Sequence, residues 1–282
     1  VNVQWLLSPE MVLQVLSQKQ GKWASIDPRV EWLCEFLKDH RNEKVLVICS
    51  SADTVLSLVQ SIKDSTGMSL AAFHEGLSLV ERDRAAAWFA DQEMGAQALI
   101  CSEIGSEGRN FQFAHHMVMF DLPANPDLLE QRIGRLDRIG QTSTINIHVP
   151  YLEGTAQQVM LNWLHQGLNA FEDTCPAGHN VYMQMHNELM QCLIDSDQQH
   201  EDFYQRSEAL HSELNLQVQQ GRDRLLEYNS CRPAQAAMLH DQADKLYQKL
   251  DLPRFIELLY DCYGISYEIH SPGCWVLKPT DN

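Results

Sequence analysis

The segment KVLVICS, residues 44–50, is an uninterrupted apolar run that is rich in β-branched residues and ends on a serine. A short run of this kind has no polar face, which is typical of a strand that is buried on both sides of a parallel sheet. The residues that follow, ADTVLSLVQSIKD, have the apolar spacing of a helix. Together they predict a central strand followed by a helix that packs on the sheet.

The same alternation of strand and helix continues to about residue 172. Further strands are predicted at residues 69–73, 96–102, 116–120 and 144–149, and a long helix over residues 155–172 closes the region. Ser78 and Glu81 have the spacing of a helix capping box. We therefore predict an α/β domain, a mostly parallel sheet with helices on both faces. Ligands of such sheets bind at the carboxyl ends of the strands, so the loops that follow the first four strands should form one functional edge.

The flanking segments divide the chain into four predicted parts. Pro9 and Pro28 each follow a capping residue, which is a helix-start signal. The last residues predict a hairpin that turns at Pro272 and Gly273. The predicted parts are a helical lead-in and linker over residues 1–43, an α/β domain over 44–174, a mainly helical spacer over 175–265, and the start of a truncated further domain over 266–282. Because the sequence begins without Met, we expect a fragment of a longer protein.

The charge balance argues against this chain, by itself, as a nucleic-acid binder. It has 21 Lys and Arg residues against 38 Asp and Glu residues, a net charge of −17. Residues 1–174 hold 13 basic and 22 acidic side chains, and residues 175–282 hold 8 and 16, so neither part is basic. A local basic patch would have to overcome the long-range repulsion.

Cysteine and histidine usage predicts a reduced protein without a metal centre. The eight cysteines are scattered and form no C-x-x-C pair, so we expect neither disulfides nor a zinc site, and a cytosolic location. His115 and His116 have no third ligand near them at metal spacing. The sequence shows no signal peptide or membrane-length apolar stretch, and we expect no membrane partner.

Two motifs on the predicted functional edge could perform chemistry. The loop of residues 102–110, SEIGSEGRN, has Gly105 and Gly108, which could let backbone N–H groups approach an anion, and Asn110, which could bond a ribose hydroxyl. Taken alone, two glycines in a loop are more often only turn residues, and Asn110 could simply stabilise a turn. Residues 130–141, EQRIGRLDRIGQ, place three arginines at intervals of three, which predicts neighbouring strips of one helix. These arginines could serve solubility or could stabilise a phosphoryl group during its transfer.

A triphosphate site is missing from this sequence. There is no G-x-x-x-x-G-K-[ST] motif, and no acidic magnesium-binding run follows a strand. Arginines at a functional edge without a phosphate cradle are what the second half of a two-lobed motor would have.

Four motifs in order give the sequence a family resemblance. Residues 131–141 match the pattern Q-x-x-G-R-x-x-R and end in RIGQ, residues 101–110 match a loop of the pattern S-T-R-A-G-G-x-G-x-N, residues 121–126 match D-x-x-x-N-P, and residues 73–89 hold a motif with Gly, Glu-Arg and a final Phe. The span of residues 44–171 resembles the second RecA-like, P-loop-NTPase-type domain of superfamily-two helicases and translocases of the Swi/Snf class. Two positions depart from the family's loop, because Glu103 replaces Arg and Ser106 replaces Gly.

The resemblance implies a role for each matching residue at a nucleotide. Arg135 and Arg138 would be catalytic arginine fingers that reach ATP and Mg²⁺, both held mainly by a missing first lobe. Gln131 would position the nucleotide or its attacking water. Gly108 and Asn110 would line the same cleft.

The resemblance also implies contacts with a tracked nucleic-acid strand. Ser50, Gly76 and Ser102 match positions that contact the strand's backbone, and hydroxyl and N–H groups suit phosphate contacts that do not read the sequence. Arg82 would either contact the strand or form a surface ion pair.

Within this class the sequence is most similar to bacterial RNA polymerase-associated ATPases, including the segment CPAGHN at residues 175–180. That similarity implies an ATP-dependent helicase or translocase that binds RNA polymerase core, moves along DNA or RNA and promotes polymerase recycling in the bacterial cytoplasm, at the nucleoid. The fragment alone is expected to be inactive as an ATPase. Two alternatives stay open: a non-catalytic module that docks on RNA polymerase, and a lobe of an RNA helicase.

Overall fold

The computed structural model describes residues 3–17, 22–103, 111–138, 141, 143–229, 233–249, 251–271 and 273–278. The chain divides into two compact units, Val1–Gly221 and Arg222–Asn282. The first unit contains the α/β fold that the sequence predicted.

A five-stranded parallel sheet forms the centre of the first unit. Its strands are β1 (Val45–Cys49), β2 (Leu70–Phe73), β3 (Ala98–Ser102), β4 (His116–Met119) and β5 (Asn146–His148). Their order is β2-β3-β1-β4-β5, and every neighbouring pair is parallel. Every residue of β1, β3 and β4 is buried, which confirms the prediction of a parallel sheet covered on both faces.

Helices cover both faces of this sheet. They are α1 (Val3–Leu7), α2 (Pro9–Ser17), α3 (Pro28–Asp39), α4 (Ala52–Thr66), α5 (Leu79–Ala90), α6 (Pro126–Ile133), α7 (Ala156–Asn162), α8 (Gly178–Ile194) and α9 (Glu201–Asn229), with a 3₁₀ turn at Lys22–Ser25. The predicted caps form. Asp27 accepts a hydrogen bond from the N–H of Arg29 at the start of α3, and Ser78 and Glu81 complete the capping box of α5.

Alternate residues of the strands contribute to two separate cores. Val47 packs with residues of α3 and α4, such as Leu33 and Leu58. Leu46 packs on the other face, in a core that includes Trp163. Because close-packed interiors resist deformation, the sheet is a rigid support for the loops at its ends.

The arginine stretch is only partly helical, which differs from the predicted single helix. α6 ends one residue before Gly134, and the N–H of Arg135 bonds to the carbonyl oxygen of Arg132, three residues back, at 3.2 Å. Glycine has low helix propensity, and the helix ends with Gly134 as its C-cap. Arg132 therefore lies on the helix, whereas Arg135 and Arg138 lie beyond it.

The helix that closes the α/β region is also shorter than predicted. α7 continues as one π-helical turn, Trp163–Gly167, and the chain then passes through Asn169 with a positive φ of 49°. The buried indole N–H of Trp163 donates to the Ser207 hydroxyl on α9 at 3.1 Å. The helix ends next to this tertiary hydrogen bond, which local sequence periodicity does not indicate.

The segment CPAGHN packs the following helices onto the α/β region. The N–H of Cys175 donates to Glu130 Oε1 on α6 at 2.5 Å. A Cβ added at Gly178 would lie 2.6 Å from Cys175 Sγ and 2.9 Å from Pro126 Cβ, so the backbone approaches α6 closely. Burial, together with Glu130, raises the pKa of the Cys175 thiol to about 12, and the thiol is therefore a packing group.

The second unit contains the end of α9, two further helices and a hairpin. These elements are α10 (Pro233–Lys249), α11 (Leu252–Tyr263), β6 (Ser266–Ser271) and β7 (Cys274–Lys278). The strands pair antiparallel, which confirms the predicted hairpin. Gly273 in its turn has a φ of 78°, and Pro272 lies outside the described residues. Of the helices that the structure describes, none is long and apolar enough to cross a membrane.

Candidate functional site

Three neighbouring strands end at one edge of the sheet, and polar residues follow them. Ser50 follows β1, Glu103 follows β3, and Asp121 lies two residues after β4. Because β1 lies between β3 and β4, these residues share the middle of the edge. This is the carboxyl edge, on which the sequence predicted the functional loops.

Arg132 joins these strand ends from the last turn of α6. Its guanidinium is fully buried, and it bonds to Asp121 Oδ1 through Nη2 at 2.9 Å and to Glu103 Oε1 through Nε at 2.8 Å. Burial alone lowers the pKa of Arg132, but the Asp121 and Glu103 carboxylates outweigh this effect and hold its pKa above the ordinary value. The charge of Arg132 is therefore permanent. Its removal would leave the buried Asp121 carboxylate without its cation, while Glu103 would keep only Arg135, whose Nη2 lies 3.6 Å from Glu103 Oε2.

Asp121 links this ion pair to the central strand. Its second carboxylate oxygen accepts the backbone N–H of Ser50 at 2.6 Å. Arg132 thus holds the ends of β3 and β4 directly and the end of β1 through Asp121. No role was predicted for Arg132. The signal that could have found one was the unusual acid at Glu103, which supplies a partner for this arginine.

Arg135 and Arg138 differ from each other in burial. Arg135 is 6% exposed; its Nη2 donates to the Glu103 carbonyl oxygen at 2.7 Å, and its Nη1 is buried without a hydrogen-bond partner among the described residues. Arg138 is exposed, and its Nε donates to the Gly134 carbonyl oxygen at 3.1 Å. A buried donor without a partner costs about 1–3 kcal/mol, so Arg135 has a donor that an anion would satisfy.

Of the other predicted nucleotide contacts, one is described and two are not. Gln131 is exposed on the last turn of α6. Gly108 and Asn110 lie outside the described residues, as does the whole loop of residues 104–110. The structure brings Gln131, Arg135 and Arg138 to one end of α6.

The residues predicted to contact a nucleic-acid strand lie at the ends of β1, β2 and β3. Ser102 is buried and donates its hydroxyl to Glu75 Oε2 at 2.5 Å. The Ser50 hydroxyl is buried and has no hydrogen-bond partner in the described part of the chain. Gly76 is exposed, and its N–H donates to His74 Nδ1 at 3.2 Å.

Glu75 connects these strand ends. The hydrogen bond from Ser102 lowers the pKa of the Glu75 carboxyl, and the backbone N–H of Ala52 at the start of α4 adds a smaller effect in the same direction. Arg82 on α5 donates to the carbonyl oxygens of Glu75 and Leu77, both at 2.9 Å. Arg82 therefore supports the loop after β2, a role that neither of its two sequence interpretations included.

A second buried arginine lies behind the carboxyl edge. Arg29 on α3 bonds to Asp27 at 2.7 Å and to Glu10 at 2.8 Å, donates to the Phe120 carbonyl oxygen and lies 4.4 Å from the centre of the Phe120 ring. Burial raises the pKa of Glu10 to about 7, although Arg29 opposes the shift. This group was not predicted, because Glu10 on α2 lies 19 residues and Phe120 after β4 lies 91 residues from Arg29 in the sequence.

At the opposite, amino edge, one group in the described part of the chain could hold a metal ion. His40, Glu43 and His116 have ligand atoms within 4.8 Å of one another. Sequence spacing predicted no third ligand near His116, but the fold brings two. The parallel pairing of β1 with β4 sets His116 beside Val45, two residues after Glu43.

Two families of known proteins match this chain. The family described as helicase conserved C-terminal domain matches residues 28–140. The family described as RNA polymerase recycling family C-terminal matches residues 144–282. The first match contains the sheet edge and the arginine stretch, and the second contains CPAGHN, the helical region and the hairpin.

Several solved structures are similar to this chain. The Sulfolobus solfataricus SWI2/SNF2 ATPase core in complex with dsDNA is 21% identical over 64% of this chain and 38% of that one, with a TM-score of 0.46. The C-terminal part of the Fun30 ATPase domain is 22% identical over 47% of this chain and 43% of that one, with a TM-score of 0.41. The S. cerevisiae Dbp5 C-terminal domain bound to Gle1 and IP6 is 16% identical over 60% of this chain and 93% of that one, with a TM-score of 0.43.

The chain thus spans less than half of the first two of these proteins. The two family matches, by contrast, lie in tandem along almost all of its own length, with β1 to β4 and the three arginines inside the first and β5 inside the second. Together the two family matches support a RapA-like helicase C-terminal lobe, continued by a region that matches the C-terminal model of the RNA polymerase recycling family.

Proposed function

We propose that this chain is the second motor lobe of an ATP-dependent nucleic-acid translocase that binds RNA polymerase core and promotes its recycling in transcription. One observation carries the proposal: the Nη1 of Arg135 is buried without a hydrogen-bond partner among the described residues, and the exposed Arg138 follows three residues later, in a sequence without a phosphate cradle. Such donors suit an anion presented by another domain. ATP and Mg²⁺ would be held mainly by the first RecA-like lobe of the parent protein.

In this proposal the three arginines divide the work. Arg132 supports the edge, and Arg135 is positioned through its bond to the main chain of Glu103. Closure of the two lobes would bring Arg135 and Arg138 to the γ-phosphate, where they would stabilise charge in the transition state. Gln131 would position the nucleotide or its attacking water.

Gly108 and Asn110 would complete the same cleft. Residues 1–43 would link the lobe to its predecessor, residues 44–174 would form the lobe, residues 175–265 a helical spacer, and residues 266–282 the start of a further domain. The parent protein would act in the bacterial cytoplasm, at the nucleoid.

The ends of β1, β2 and β3 suit a contact with the backbone of DNA or RNA. The Glu75 carboxylate takes the hydroxyl of Ser102 and lies against the N–H of Ala52 at the amino end of α4. Hydroxyls and helix N-terminal N–H groups are also donors to phosphates. A strand phosphate would replace the Glu75 carboxylate there, Gly76 would allow a close approach, and Ser50 would supply its hydroxyl.

ATP turnover by the parent protein tests the arginine assignment. We expect Arg138→Ala to reduce kcat by about 10³-fold or more with little change in ATP affinity, because a finger acts on the transition state. The matched control is Arg206→Ala, since Arg206 is an exposed arginine that pairs with Glu188 and Asp202. Unchanged turnover in Arg138→Ala would reject the finger role.

The isolated chain offers a second test. Val1–Asn282 should show no magnesium-dependent ATP hydrolysis, because its sequence contains no triphosphate-binding motif. Hydrolysis above background, retained through purification and removed by Arg138→Ala, would show that the site is complete without another lobe.

A non-catalytic docking module on RNA polymerase is the second candidate function. The net charge of −17 favours it, because an acidic surface suits a basic partner face. This function predicts that the chain is retained by immobilised core polymerase while Arg138→Ala leaves turnover of the parent unchanged. Loss of turnover in Arg138→Ala together with polymerase retention would support a motor that also docks.

A further inference from the structure

We propose that His40, Glu43 and His116 form a binding site for one divalent transition-metal ion, for which Zn²⁺ is the natural candidate. The site lies at the amino edge of the sheet, away from the arginines, and it goes beyond the proposed motor function. Its failure would leave that function untouched.

Two of the three residues lie in the turn between α3 and β1, where the N–H of Glu43 donates to the His40 carbonyl oxygen at 3.0 Å, and the fold brings the third, His116, to them. His40 is the residue directly after α3, Glu43 lies in the turn before β1, and His116 is the first residue of β4. Their ligand atoms lie within 4.8 Å of one another, and His116 Nε2 is 2.6 Å from Glu43 Oε2. Zinc ligands about 2.1 Å from the ion at tetrahedral angles lie about 3.4 Å apart. The ligand atoms of this group would therefore have to move by about 1 Å to bind one ion. The half-exposed Glu43 side chain can supply this movement.

Hydrogen bonds outside the site orient both imidazoles for metal binding. His40 Nδ1 lies 2.8 Å from the Phe36 carbonyl oxygen, which can only accept, so Nδ1 carries the proton and Nε2 offers its lone pair. His116 Nδ1 lies 3.0 Å from His148 Nε2, which leaves His116 Nε2 on the side of Glu43. Metal-bound histidines characteristically bond through their second nitrogen to a carbonyl or another acceptor.

Packing holds these rings in place. The His40 ring lies 4.1 Å from Phe36, and the His116 ring lies 4.7 Å from His40 and 5.3 Å from His148, centre to centre. His116 is nearly buried, whereas Glu43 is half exposed, so one side of the group is open to solvent. A water molecule could therefore complete a four-coordinate site.

The ligand set favours a particular class of ion. Two imidazole nitrogens and one carboxylate oxygen suit Zn²⁺, Co²⁺, Ni²⁺ or Cu²⁺, whereas Mg²⁺ and Ca²⁺ prefer oxygen ligands alone. A bound ion would tie the end of α3 to β4 and would stabilise the folded state in proportion to its occupancy.

The test uses Val1–Asn282, first stripped with EDTA and then titrated with Zn²⁺ against a chromophoric chelator. We expect one Zn²⁺ per chain, no competition from Mg²⁺, and a rise in Tm of roughly 5 °C at a hundredfold excess over Kd. His40→Gln and Glu43→Gln should each weaken binding by at least about tenfold. The control His165→Gln changes an exposed histidine outside the group and should bind as the wild type does.

Two results would overturn the proposal. One is the absence of saturable Zn²⁺ binding by the wild type, and the other is full retention of binding by the double variant His40→Gln, Glu43→Gln. Because both of these side chains are partly or fully exposed, the variants should fold. His116 itself is nearly buried. Loss of Zn²⁺ binding in His116→Asn therefore counts as loss of a ligand only if the circular dichroism spectrum of this variant matches that of the wild type.

Discussion

The carboxyl and amino edges of the parallel sheet both gather titratable side chains, but they bury them differently. At the carboxyl edge Arg132 is fully enclosed between Asp121 and Glu103. At the amino edge His116 bonds to Glu43, whose side chain is 50% exposed. A buried ion pair keeps its surroundings in one arrangement because breaking it leaves a charge unpaired, while half-exposed groups can exchange partners with water or an ion. The enclosed Arg132 therefore supports its edge, whereas the half-exposed Glu43 leaves one side of its group open to a ligand.

The largest expected effect comes from removing the buried charge at the carboxyl edge. Arg132→Met should lower the free energy of unfolding by about 3–5 kcal/mol, because the fully buried Asp121 carboxylate loses its cation. Urea unfolding of Val1–Asn282 would measure it. Arg206→Met, which removes an exposed pair, should cost no more than about 1 kcal/mol. Equal losses of unfolding free energy in the two variants would show that the buried ion pair contributes no more to stability than the exposed one.

The comparison also shows how far the sequence could predict this molecule. Apolar runs and caps predicted the strands and most helices, because burial on both faces and capping leave local signals, as at Asp27 and Ser78. The separate environments of Arg132 and Arg135 were not predictable in this way. Both arginines bond to Glu103, which lies 29 residues before Arg132 in the sequence.

The amino-edge group was hidden for the same reason. His116 lies 73 residues from Glu43 in sequence, and only the β1–β4 register makes them neighbours. Spacing rules for metal ligands examine residues that are close in sequence or in recurring motifs. They do not detect a site that is assembled by strand order.

A pH-dependent effect is expected behind the carboxyl edge, at Glu10. Its pKa in the folded state is raised to about 7, against about 4.3 in an unfolded chain. Between these values the folded protein binds more protons at this site, so the contribution of Glu10 to stability is present at low pH and falls as the pH rises to 7. We expect the wild type to lose about 3 kcal/mol from this group over that window, and Glu10→Gln to lose none.

The difference in unfolding free energy between the wild type and Glu10→Gln isolates the contribution of Glu10. The unfolding free energy of the wild type should fall by about 3 kcal/mol relative to that of Glu10→Gln between pH 5 and pH 8, since every other titrating group is common to both. Parallel profiles would contradict the raised pKa. The buried Oε1 of Glu10, which has no hydrogen-bond partner among the described residues, is the physical reason to expect this relative loss.

A smaller loss is expected where CPAGHN packs on the helix that carries Arg132. Gly178→Ala should cost about 1–3 kcal/mol, because its Cβ would lie 2.6 Å from Cys175 Sγ and 2.9 Å from Pro126 Cβ. Gly221→Ala is the matched control. Its Cβ would meet nothing within 4 Å, so it should stabilise α9 slightly through helix propensity. A stable Gly178→Ala variant would show that this contact adjusts easily.

The smallest effect tests the strand ends against the opposite edge of the same sheet. If a phosphate replaces the Glu75 carboxylate, Glu75→Gln in the parent protein should tighten nucleic-acid binding by about fivefold, since one unit charge at about 4 Å in water contributes about 1 kcal/mol. Glu93→Gln removes the same charge from an exposed loop that precedes β3, at the amino edge.

Fluorescence anisotropy at about 0.1 M salt, where exposed charges are screened beyond about 10 Å, would separate the two variants. Tightening in Glu75→Gln alone would place the phosphate near Ser102 and the start of α4. Equal tightening in both variants would mean that binding responds only to net charge. That result would contradict the proposed contact between the ends of β1, β2 and β3 and the nucleic acid. If Glu75→Gln left the nucleic-acid affinity unchanged, replacement of the carboxylate by a phosphate would be rejected, because removal of a neighbouring negative charge must strengthen the binding of a phosphate at that position.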